Sequence, residues 1–232
     1  MEAFEAAYDR VLNTVFSFTN PFKKIIIRTQ CKVHKFINIR ALTILKNDKY
    51  LKEYNFFNQY IKEVNKGAVW ADQDYRSASH FYNPFKKKGL FGRKDALELA
   101  VEYHQKALDL WQEEELKEAM FYFGAALHLV QDMTVPQHAN IRLLDNHRQY
   151  ENYIKRSYKY VKEFQVETGA YLLDSIEDYI RFNTRVAIRI NKHFKNIADE
   201  EERFYRIARC GLPLAQRTTA GAMVLFFREI FT

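Results

Sequence analysis

Turn-forming residues are scarce in this sequence: seven glycines and four prolines, about one residue in twenty against a usual share of roughly 12%. That scarcity excludes a sandwich or barrel of many short strands, excludes a disordered chain, and leaves long helices as the economical reading. Cysteine is nearly absent, and Cys31 and Cys210 are too few for a disulfide framework. No apolar run reaches the roughly 18 residues that would suggest a membrane span. The opening MEAFEAAYDRVLNTVFSFTNPF carries Glu2, Glu5 and Asp9, and lacks the basic start, apolar block and small-residue cleavage site of an export signal. The expected address is therefore cytoplasmic, or peripheral at the inner face of the membrane.

What is present is a chain of 232 residues, 47% hydrophobic, enough to bury one substantial core. Lysine and arginine (36) outnumber aspartate and glutamate (29), and the net charge of +7 favours anionic partners such as phosphates, acidic lipid surfaces or nucleic acid. No internal repeat or linker-like tract divides the chain. Apolar spacing predicts helices over residues 3–18, 33–47, 50–65, 94–111, 114–133, 146–165, 170–196, 199–209 and 213–231, with Pro136 closing the fifth. Leu116, Met120, Phe123, Leu127 and Val130 trace one face of that helix. Only residues 67–93, which hold three of the seven glycines, lack the helical period. They read as a long structured loop, and loops longer than about 15 residues in compact domains are usually functional.

The chemistry-bearing residues fall into pairs four apart. His128 and Asp132 lie on one side of a strongly apolar helix, where an ionisable side chain is costly unless paired or metal-bound. His147 and Glu151 repeat the step on a later helix, and His138 stands between them just after Pro136-Gln137. Each pair alone is equally a hydrogen-bonded core histidine or a surface ion pair. The loop adds Asp72 in AVWADQD and His80 in SASHFYNP, and His34 stands in CKVHKFINIRAL at an expected helix start. Taken together, five of the seven histidines join three carboxylates. Imidazole plus carboxylate without thiolate suits catalytic zinc, and eight donors exceed the needs of one ion. His104 is spaced with Leu97, Val101 and Leu108 as a core or supporting histidine, and His193 reads as exposed.

The stretch HLVQDMTVPQHANIRLLDNHRQYENY resembles the His-x3-Asp-x5-His followed by His-x3-Glu of the zinc-dependent phospholipase C family, whose fold the fungal single-strand nucleases share. GAVWAD, SASHFYNP and AQRTTAGAMVLFF resemble further family segments in the same order. The resemblance implies an all-α, single multi-helix domain with a long structured metal-binding loop. It would occupy residues 31–232 after an N-terminal helical extension, 1–30. It also implies that Asp72, His80, His128 and Asp132 hold one Zn2+, and that His138, His147 and Glu151 hold a second. Asp132 would bridge to a third ion shared with His34, whose other family ligands are the amine and carbonyl of an N-terminal tryptophan. The only tryptophans here are Trp70 and Trp111, so two ions are implied and the third depends on other groups. Cys31, three residues before His34, is either a thiolate substitute for those groups or a small buried hydrophobe.

The implied activity is zinc-dependent phosphodiester hydrolysis of the phospholipase C type, releasing diacylglycerol and a phosphorylated headgroup, with Asp72 orienting or deprotonating the attacking water. Gln73 and Ser77 stand where choline-specific members carry aromatic residues, so no choline preference is implied. Basic residues without acids in 21–40, and Lys86, Lys87, Lys88, Arg93 and Lys94 interleaved with Phe85, Leu90 and Phe91, suit a phospholipid substrate at an anionic membrane surface. They suit nucleic acid as well, which keeps a single-strand nuclease as the alternative enzyme. A non-catalytic relative using zinc as a structural staple is the reading from a different class.

Overall fold

The computed structural model describes residues 20–73, 80–84, 94–140 and 146–232. The helix expected over 3–18 and the basic cluster at 85–93 lie outside the described residues. Among the described residues the architecture is all-helical. In chain order the helices are α1 (Asn20–Asn47), α2 (Leu51–Ala71), α3 (Ala96–Gln112), α4 (Leu116–Asp132), α5 (Pro136–Asn140), α6 (His147–Ser157), α7 (Ile176–Phe194) and α8 (Glu200–Ile230). A single 3-10 turn, Lys162–Phe164, precedes α7.

Helix α4 is the centre of the molecule. Every residue from Phe123 to Asp132 is buried, as expected of a helix that is apolar around its whole circumference. It packs chiefly on α2 and α3. The α2–α4 crossing is glycine on glycine: a Cβ at Gly67 would sit 1.7 Å from the Phe121 carbonyl oxygen, and one at Gly124 would sit 2.0 Å from that of Val64. Backbone therefore touches backbone, and the C-terminal end of α2 is drawn to the middle of α4.

This crossing corrects the reading of 67–71 as loop. Gly67 is not a turn residue; it lies inside α2 because nothing larger fits at the contact. Pro136 does not close α4, which ends at Asp132. It takes the first position of α5, where its missing N–H is not needed. The two segments 199–209 and 213–231 are one helix, α8, that runs through Pro213. Residues 146–165 divide into α6 and the 3-10 turn, and α7 begins only at Ile176, capped by Ser175. The backbone before α7 is tied elsewhere: Asp48 accepts from the N–H groups of Gly169 and Ala170, and Tyr171 N–H donates to the Arg217 carbonyl.

Two apolar clusters form the core. The larger joins Ala41, Leu42, Ile44 and Leu45 of α1 to Met120, Phe123 and Leu127 of α4, Tyr179 and Ile180 of α7, and Met223 and Phe226 of α8. The smaller contains Ile37 of α1, Tyr150 and Ile154 of α6, and Phe204 to Ala215 of α8. Helices α1, α7 and α8 contribute to both.

Candidate metal centre

The chain brings all eight expected donors to the seam between the two clusters. Among the described residues, three groups have donor atoms mutually within 4.8 Å: His34, His128 and Asp132; Asp72, His80 and His128; and His138, His147 and Glu151. His34 lies well inside α1 rather than at a helix start. Asp72 is the C-cap of α2, brought beside α4 by the glycine crossing. His128 and Asp132 project from the last turn and a half of α4, and α5 and α6 supply the third group.

The ring nitrogens that face away from the donors fix the tautomers. His80 Nε2 lies 3.1 Å from the Ala71 carbonyl oxygen, His138 Nδ1 lies 3.0 Å from that of His80, and His34 Nδ1 lies 2.8 Å from Gln131 Oε1. A carbonyl oxygen can only accept, so in the neutral ring each of these nitrogens carries the hydrogen and the opposite nitrogen presents its lone pair. Those lone pairs converge on carboxylates and on one another. His80 Nδ1 is 2.9 Å and His128 Nε2 3.1 Å from Asp132 Oδ2, while His34 Nε2 is 3.5 Å from Asp132 Oδ1. His138 Nε2 is 3.1 Å from His147 Nε2, which lies 3.2 Å from Glu151 Oε1. Lone pairs facing lone pairs need a proton or a cation between them. In His34, His80 and His138 the second nitrogen is held by a fixed acceptor, as is usual for metal-binding histidines. The donor set therefore fits zinc.

The electrostatics agree. Burial, reinforced by His128, lowers His34 to about 4, and burial lowers His138 to about 3. Burial also lowers His128. Asp132 is pulled up by burial, yet the surrounding imidazoles hold it well below the usual carboxylate range. For His80 burial works downward, and the hydrogen bond and charge of Asp132 outweigh it. Burial raises Asp72 to about 6.

Cys31 is buried, and its sulfur lies 3.6 Å from Asp72 Oδ2. Burial and the Asp72 charge raise the thiol strongly, so it stands as a protonated donor to that carboxylate. It belongs to none of the three groups. His104 is buried against Phe123 and Phe226 and pairs with Glu229 at 2.8 Å, while His193 is exposed on α7. Sequence reasoning missed Gln131, Asn38 and Thr219, which are polar, buried and joined to His34 through Gln131.

Residues 33–204 match the family described as zinc dependent phospholipase C. Phospholipase C of Bacillus cereus is 32% identical over 144 residues, covering 55% of this chain and 50% of that protein. Phospholipase C of Listeria monocytogenes is 25% identical over 177 residues, covering 68% of this chain and 61% of that protein. The chain thus spans about half the length of the Bacillus cereus relatives it matches. The alpha toxin of Clostridium absonum superposes with a TM-score of 0.75 at 17% identity, over 86% of this chain and 65% of the toxin, which establishes the likeness of fold. The alpha-toxin of Clostridium perfringens gives 0.72 at 19% identity, over 85% of this chain and 63% of the toxin. Because 33–204 includes all eight converging donors, the chain belongs to the zinc-dependent phospholipase C family.

Proposed function

We propose that this protein is a zinc-dependent phosphoric diester hydrolase of the phospholipase C type, acting on phospholipids at an anionic membrane surface. The observation that carries the reading is the convergence of His34, His80 and His128 on the shared carboxylate of Asp132, with the rings of His34 and His80 oriented by acceptors at their other nitrogens. His34, Asp72, His80, His128, Asp132, His138, His147 and Glu151 are the proposed ligands, for two ions and a third at the His34 corner.

Zinc in such a site supplies a water acidic enough to ionise near neutrality and positive charge for the phosphoryl oxygens. The rest is the work of this chain. Asp72, the C-cap of α2 with its carboxylate beside His80 and His128, is the proposed acceptor of the water's proton. The water oxygen bonds to phosphorus, the bond from phosphorus to the glycerol oxygen breaks, and that oxygen leaves with a proton as diacylglycerol. The phosphorylated headgroup is the second product. His80 and His128 hold Asp132 from one side and His34 from the other, so the carboxylate is positioned before substrate arrives. The proposed location, cytoplasmic or on the inner membrane face, is tested by cell fractionation. Among the described residues no helix is long and apolar enough to cross a membrane.

The test is a single incubation of zinc-loaded protein with mixed-headgroup liposomes and single-stranded RNA, read by mass spectrometry with a chelated control. Diacylglycerol that disappears on chelation is the expected product, and the released headgroup identifies the preferred lipid. Nucleotides in its place would move the protein to the nuclease branch. Bound zinc with neither product would identify a non-catalytic relative.

A further inference from the structure

One buried amide at the centre has no donor role in the metal groups and yet touches one of their members. Gln131 is 2% exposed and stands between His128 and Asp132 on α4. Its Nε2 spends both hydrogens inside the core, on Asn38 Oδ1 at 2.7 Å and Thr219 Oγ1 at 3.1 Å. Asn38 is anchored in turn, donating to Asn65 Oδ1 at 2.9 Å. Four helices, α1, α2, α4 and α8, therefore lock the orientation of one amide. Flipping it would bring N–H to His34 and leave carbonyl oxygen facing carbonyl oxygen at Asn38. Polar side chains with no exposure are costly inside a core unless satisfied, and this strut is satisfied as far as His34.

We infer that Gln131 is a positioning residue: its carbonyl holds His34 as the Nδ1–H tautomer and directs the Nε2 lone pair at Asp132 Oδ1, the corner proposed above for a third ion. The inference rests on the zinc-centre reading above. Here the orientation is supplied from inside the core. Asp132 is divided accordingly, Oδ2 facing His80 and His128 while Oδ1 faces His34.

Three variants of the full chain test this: Gln131→Leu removes the acceptor, Gln131→Glu keeps an acceptor oxygen, and Thr219→Val disturbs the same strut without touching His34. Bound zinc is counted by native mass spectrometry, and each affinity is measured by chelator competition. Gln131→Leu is expected to weaken one ion by about 10–100-fold and to leave the others unchanged. Gln131→Glu and Thr219→Val are expected to retain that ion. An unchanged Gln131→Leu, or a Thr219→Val that loses the ion equally, would overturn the role. Long-range proton–nitrogen NMR of the chelated wild type gives an independent reading, with His34 expected as Nδ1–H. An Nε2–H ring, with zinc still bound by the other groups, would overturn this inference alone. Failure of the wild type to bind zinc at all would overturn the metal-centre reading with it.

Discussion

Protonation is where individual residues expose the design. In the metal-free protein His34, His128 and His138 are held below the ordinary imidazole value of 6.5, so the unfolded chain binds protons that the folded chain refuses. Their contribution is therefore intact above pH 6.5 and is lost as pH falls toward 4. Asp72 and His80 are raised and work in the opposite sense as pH falls through the range near 6. The lowering of His34 to about 4 and of His138 to about 3 outweighs the raising of Asp72 to about 6. The urea midpoint of chelated protein is expected to fall between pH 7 and 4.5, as measured by circular dichroism, and a midpoint that rose would contradict the burial of the three rings. At this scale the sequence was legible for candidate donors that the fold brings together, because His128–Asp132 and His147–Glu151, each four apart, stand in an ordered series. It was not legible for Gln131. An amide in an apolar run looks like any other, and its partners Asn38 and Thr219 lie 93 and 88 positions away.

Helix pairing decides whether Asp72 reaches the site at all. Gly67→Ala places a methyl where the Phe121 carbonyl oxygen already is, and Gly124→Ala does the same at Val64, so α2 and α4 must move apart. Either substitution is expected to destabilise the protein by about 1–3 kcal/mol, seen as a lower melting temperature. Either also withdraws Asp72 from His128, so zinc affinity should fall even in the folded fraction. The same contact explains a misreading. Glycine signals a turn when only local sequence is visible, and its use at a helix crossing depends on a partner surface more than fifty residues away. Pro136 and Pro213 mislead for a related reason: proline interrupts a helical pattern, whereas one begins α5 and the other is carried inside α8, whose flanking Leu212, Leu214 and Ala215 are buried.

At the scale of the whole molecule, the described residues form two apolar clusters threaded by α1, α7 and α8, with the candidate donors between them. The donors come from α1, α2, α4, α5 and α6 together with the loop carrying His80, so bound zinc would tie both clusters together. Calorimetry is expected to show one sharp transition for the zinc-loaded protein, and a lower and broader one after chelation, with α6 exchanging its amide hydrogens before α4. Equal protection of α6 and α4 without metal would mean that the clusters are joined by packing alone. The fold class was readable from composition because few glycines and prolines leave little besides helix. The division of the core was not, since it depends on which face of α8 meets which neighbour.

The acceptors that orient the three histidines differ in kind. His80 and His138 are held by main-chain carbonyls, of Ala71 and of His80, which no side-chain replacement can delete. His34 is held by a side chain. Under random mutation the first two orientations are therefore heritable with the backbone, while the third is exposed to a single codon at position 131. Lineages descending from this sequence should change their metal count there first, and a screen for partial metal loss should return substitutions at Gln131 before any at residues outside the donors themselves.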